Sequence, residues 1–167
     1  MIRSASLRSF ARLEWLFPIV VTAHNLEEAI WLPAFVAAHK TQLPWTVTAA
    51  EFRFAAAVLT TAAWIITWLS WRTGPQSMWS YLLFGYMVAM LANVVVPHVP
   101  AAFLFRGYSP GLITAVLLNL PVLTFLCTRA VREGYVSGQK AVAFAIGVPV
   151  LIVASVAVLF ATWQHLL

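Results

Sequence analysis

Charge is what this sequence has least of. Only 9% of its 167 residues are Asp, Glu, Lys or Arg, against roughly 25% in a soluble domain. Cysteine is nearly absent too. Cys127 stands alone in an apolar run, so there is no internal disulfide and no clue to the redox compartment. The chain shows no Ser-His-Asp set, no usable cysteine nucleophile and no glycine-rich phosphate loop, which removes triad hydrolases, thiol enzymes and P-loop enzymes. It has no internal repeat and no low-complexity segment. The net charge of +5 is scattered over chain ends and loops, where lipid head groups and topology account for it, and no nucleic-acid partner is expected.

What is present is apolar: 62% of residues are hydrophobic, eight are Trp, and the mean hydropathy is +0.88. This is a membrane composition, and it leaves no room for a sizeable soluble domain. The reading is an all-α, polytopic membrane bundle of five transmembrane helices, one integral membrane domain over 1–167. The expected spans are about 14–38, 46–71, 78–105, 110–131 and 141–163, each long enough for ~30 Å of hydrocarbon. Gly74-Pro75 closes the second span. Ser77 suits the N-cap of the third, and Ser109-Pro110 reads as a cap plus first-turn proline for the fourth. Arg3, Arg8 and Arg12 before an apolar stretch resemble a signal peptide, but that stretch runs on past His24 to Ala38 and fits a full span better.

Lys and Arg set the orientation. With the N-terminus inside, the inner segments hold Arg3, Arg8, Arg12, Arg72, Arg129, Arg132 and Lys140, and the outer side holds Lys40, Arg53 and Arg106. This imbalance places the N-terminus in the cytoplasm and the C-terminus outside, in a cell inner membrane. Trp15, Trp68, Trp71 and Trp79 near the inner ends, with Trp45 and Trp163 near the outer ends, read as interfacial belts. The fifth span has no ionisable group over 141–160, and its expected job is packing.

Against this background one stretch stands out: His24-Asn25-Leu26-Glu27-Glu28, inside the first span. Charged groups in hydrocarbon cost at least ~2.5–3.5 kcal/mol each, so they need partners and mark functional sites. His24 shares a helix face with Glu27 and Glu28. At ~1.5 Å per residue from the outer end of each span, Glu28 lies about 15 Å deep, His24 about 20 Å, Glu51 about 8 Å, His98 about 10 Å, Asn93 about 18 Å and Asn119 about 15 Å. Four spans therefore place polar groups in the outer half of the membrane, as one pocket open to the outer face would require. Asn93 and His98 are about 140° apart on a regular helix, but a kink at Pro97 would bring them together.

Two imidazoles and two or three carboxylates make a set for a divalent transition metal such as Zn, Fe or Mn. His24, Glu28, His98 and Glu27 are the candidate ligands. Glu51, Asn93 and Asn119 would support them, and Tyr108 and Ser109 would lie at a substrate rim. The same groups suit metal-free acid–base chemistry by Glu27, Glu28 and His24. The order His-x-x-Glu-Glu is neither the Glu-x-x-His of di-iron bundles nor His-Glu-x-x-His.

His24-Asn25-Leu26-Glu27-Glu28, the later Asn93 and His98, and the turn Tyr108-Ser109-Pro110-Gly111 with Thr114 beyond it resemble the HXXEE family of bacterial integral membrane proteins, over most of the chain. The resemblance implies an architecture and site residues rather than a reaction. The leading expectation is an intramembrane enzyme acting, from the outer leaflet half, on a lipophilic small molecule. Its alternatives are a metal-free isomerase of sterol- or isoprenoid-like lipids, and a proton-coupled transporter or structural protein. A transporter needs a polar path through the inner half, which looks dry and would have to be completed by a homodimer. Membrane lipids are the expected surroundings.

Overall fold

The computed structural model describes residues 10–43 and 47–166, with side chains through Trp163. Arg3, Arg8 and Trp45, given topological and interfacial roles above, lie outside the described residues. Among the described residues there are helices and no strands. They are α1 (Leu16–Ala38), α2 (Ala49–Thr73), α3 (Met78–Asn93), α4 (Val99–Leu104), α5 (Leu112–Thr114), α6 (Leu120–Arg132) and α7 (Gly138–Leu166). A π-helical turn at Val94–His98 joins α3 to α4, and another at Ala115–Asn119 joins α5 to α6. The result is five long helical units.

Four of the five units are long and apolar enough to cross a membrane: Ala49–Thr73, Met78–Leu104, Leu112–Arg132 and Gly138–Trp163. The α1 helix, with 23 residues, has the length but is not in that apolar set. It is the helix that carries His24, Asn25, Glu27 and Glu28.

Local chemistry sets most boundaries. Thr48 and Glu51 form a capping box at the start of α2: the Glu51 N–H donates to Thr48 Oγ1 at 3.2 Å, and the Thr48 N–H donates to Glu51 Oε2 at 2.7 Å. Gly74, at φ 76°, ends α2. Ser77 caps α3 by accepting from the Ser80 N–H at 3.1 Å. The expected cap at Ser109 does not form. The fourth span starts later, at Leu112, with Gly111 at the N-cap position and φ 85°. Ser109 is turned inward instead and is buried, its hydroxyl directed at the His98 carbonyl at 3.4 Å.

The α3 helix is central and packs on α2, α6 and α7, while α1 lies against α2, α6 and the second π turn. Gly85 lets α3 and α7 approach closely: a Cβ there would lie 2.5 Å from the Phe144 carbonyl oxygen and 2.6 Å from Val148 Cγ2. Phe17, Val20, Val21, Leu83, Met87 and Leu123 fill the core between these helices. That core separates two polar clusters, both reached from α1.

Candidate functional site

The Pro97 ring has no N–H, so the α3 ladder cannot continue through it. Val96 leaves helical geometry at φ −139°, ψ 117°, and the chain resumes as α4. The break turns His98 back toward Asn93, as the kink expected from Pro97 required. Asn93 Nδ2 donates to His98 Nε2 at 3.0 Å and, with its other proton, to His24 Nε2 at 3.1 Å. Both imidazoles thus aim an Nε2 lone pair at one point.

The tautomer of His24 follows from its other nitrogen. Thr114 Oγ1 donates to Glu27 Oε2 at 2.6 Å, so it accepts from His24 Nδ1–H at 3.0 Å. The protonated Nδ1 leaves Nε2 bare. Glu28 lies one turn above His24, with Oε2 3.7 Å from His24 Nε2 and Oε1 3.4 Å from His98 Nε2. Ligating atoms of His24, Glu28 and His98 all fall within 4.8 Å of one another. Four-coordinate metals with bonds of ~2.0–2.1 Å hold their donors roughly 3.3–3.4 Å apart, so the donors would close by up to about 1.4 Å on binding.

Gly111 forms the floor of this cluster. A Cβ there would lie 2.5 Å from His98 Cε1, 2.9 Å from Glu28 Cγ and 3.0 Å from His24 Cε1. Its positive φ and this contact both demand glycine. Gly111 and Thr114 were legible only as members of a family-like pattern, and neither was singled out as a site residue. The signal available was a glycine following Ser-Pro, opposite a polar helix.

Glu27 stands one layer back. Its Oε1 accepts from the Tyr108 hydroxyl at 2.6 Å, and its Oε2 accepts from both the N–H (2.9 Å) and the hydroxyl of Thr114. The carboxylate orients Thr114, which orients His24. Tyr108 is 44% exposed and sits at the edge of the cluster. Its hydroxyl is raised above its usual range by partial burial and by the Glu27 carboxylate. It therefore stays a donor at neutral pH.

The other candidates are placed elsewhere. Glu51 is engaged in the α2 cap and is not a member of the three-residue set. Asn119 is fully buried and neither of its side-chain polar atoms has a hydrogen-bond partner. Asn25 turns away toward α2, donating to Thr60 Oγ1 at 2.7 Å. No Lys or Arg pairs with Glu27 or Glu28 among the described residues.

A cavity of about 660 Å³ opens beside the cluster. Asn25, Glu28 and Asn93 are its only polar lining, and α1, α2, α3 and α7 supply apolar walls that include Leu59, Met90, Val153 and Phe160. The α7 helix, expected only to pack, is one of those walls.

Apolar helices converging on a buried His/Glu cluster define an α-helical membrane protein with a polar site between its helices. A family model described as "Protein of unknown function with HXXEE motif" matches residues 15–126. The chain belongs to this HXXEE family. It is also 30% identical over 145 residues to "Uncharacterized protein YrkK" of Bacillus subtilis (strain 168), covering 86% of this chain and 90% of that relative. No solved structure matches.

Proposed function

We propose that the chain is an intramembrane enzyme whose centre is a divalent transition metal, Zn, Fe or Mn, held by His24, Glu28 and His98, and whose substrate is lipophilic. One observation carries this: two imidazole lone pairs and a carboxylate meet at donor spacings of 3.4 and 3.7 Å, and among the described residues no Lys or Arg pairs with Glu27 or Glu28, Arg53 donating instead to the Ala29 carbonyl. Glu27 and Glu28 together place two negative charges where a dication restores neutrality. A bare carboxylate pair would carry a large desolvation penalty. Bound there, the metal would supply Lewis-acid chemistry. The protein's own groups do the rest. Thr114 fixes the His24 tautomer, Glu27 holds Thr114, and the Gly111 backbone keeps the imidazoles apart. The four apolar units and α1 together form five spans of an inner-membrane protein, with the N-terminus cytoplasmic by its basic residues.

Metal analysis of detergent-purified protein tests this. About one equivalent is expected in the wild type and a loss of tenfold or more in His98→Ala. Less than about a tenth of an equivalent in wild type after incubation with Zn, Mn and Fe in turn would remove the metal.

A second reading rests on Asn93. Its amide satisfies both Nε2 lone pairs with protons alone. In a metal-free site, Glu28 would be the acid that protonates a carbon–carbon double bond, tuned by His24. It requires solvent deuterium in the recovered lipid.

A further inference from the structure

The cavity and the cluster together indicate what the substrate is, an inference that rests on the enzyme reading above. We infer that the cavity takes one chain of a single-chain lipid carrying an uncharged hydroxyl, such as a long-chain alcohol, admitted sideways from the bilayer.

Volume sets the chain number. At the roughly 30 Å³ that a water-sized group occupies, 660 Å³ holds about 20 heavy atoms. That accommodates one chain of acyl length. Charge sets the head group. Among the described residues no Lys or Arg lines the cavity, and Glu28 does. With Glu27 and Glu28 already balancing a bound dication, a phosphate or a fatty-acid carboxylate would bring a further negative charge with no cation left to neutralise it. Asn93 spends both amide protons on the imidazoles, so its Oδ1 and the Glu28 carboxylate are acceptors on the polar wall, and they suit a single neutral hydroxyl that donates.

The packing of α7 sets the route. Its inner half is held against α3 through Gly85. Pro149, which removes a ladder hydrogen bond, marks the inner limit of the part of α7 that lines the cavity. Beyond it, Ile152, Val153, Val156 and Phe160 face the cavity over about 12 Å of helix. Val95 and Val96 on the π turn and Val153 on α7 line the cavity and are 60%, 66% and 72% exposed. The opening therefore lies between the π turn and α7, on a side that faces acyl chains.

The test uses full-length protein in nanodiscs of phosphatidylethanolamine and phosphatidylglycerol, labelled with a hexadecanol carrying a photoreactive diazirine. Crosslinks are expected within 149–160 and 89–97. Excess hexadecanol should reduce them about tenfold, and equal palmitate should not. Val156→Trp or, from the opposite wall, Ala56→Phe should lower labelling about fivefold or more at unchanged metal content. Equal competition by palmitate, or labelling indifferent to excess hexadecanol, overturns the inference on wild-type protein alone. Metal content is read on the same samples. Specific labelling without metal removes the metal and keeps the lipid assignment, whereas bound metal with uncompeted labelling removes the lipid assignment alone.

Discussion

The molecule buries carboxylates in two places, and only one of them has the makings of a reactive site. Glu14, just before α1, is fully buried. It accepts from Ser70 Oγ at 2.9 Å and from the Tyr135 hydroxyl at 3.3 Å, and Ser70 Oγ lies 3.4 Å from Ser80 Oγ. Burial first, then the Glu14 carboxylate, push the Tyr135 hydroxyl up to about 12, so it remains a donor. Neutral hydroxyls thus satisfy Glu14, and it is not among the residues lining the cavity. Glu28, roughly 20 Å further along the chain's helical rise, meets two imidazoles and borders the cavity. A buried carboxylate is therefore not itself a sign of chemistry. What separates the two is the character of the partners, lone pairs as against hydroxyl protons, and the presence of space for another molecule.

Four substitutions would break or sharpen this contrast. Gly111→Ala should have the largest effect. Its Cβ collides with His98 and its φ of 85° is strained, so metal affinity should fall by about a hundredfold or more, read by competitive chelation. Glu14→Ala should do the opposite: it removes the buried acceptor shared by Ser70 and Tyr135, costs about 2–4 kcal/mol of stability in a thermal melt, and leaves metal binding unchanged. If Glu14→Ala removed the metal, the two clusters would not be distinct. Thr114→Val cuts the link between Glu27 and His24 and should weaken metal binding by about 10–100-fold with little change in melting temperature. Tyr108→Phe removes one hydrogen bond at a half-open edge and should cost about 0.5–1.5 kcal/mol, less than tenfold in affinity.

The sequence made some of this visible and hid the rest for physical reasons. The stops at Gly74 and the cap at Ser77 are local events, decided by residues within one turn, and they are where the pattern puts them. The gathering of His24, Glu28, Asn93 and His98 was also legible, because polar groups in hydrocarbon must find one another. The cap at Ser109 was not. Ser-Pro fits a helix start, but the packing that draws the Ser109 hydroxyl to the His98 carbonyl delays the helix to Leu112. The role of Glu14 was not legible, because its donors come from Ser70 and Tyr135, far off in sequence. Glu27 and Glu28 look alike as neighbours, yet about 100° of helix rotation sends one to Thr114 and the other to the imidazoles. The part played by α7 as a cavity wall depends on how helices diverge beyond Gly85, which no periodicity encodes.

X-ray absorption at the zinc edge, on zinc-loaded protein in nanodiscs, probes the centre most directly. The expected spectrum shows two imidazole nitrogens and oxygen donors at about 2.0–2.1 Å, with one imidazole lost in His98→Ala and both kept in Glu14→Ala. A spectrum without imidazole scattering, or one that His98→Ala leaves unchanged, would contradict a metal held by His24, Glu28 and His98.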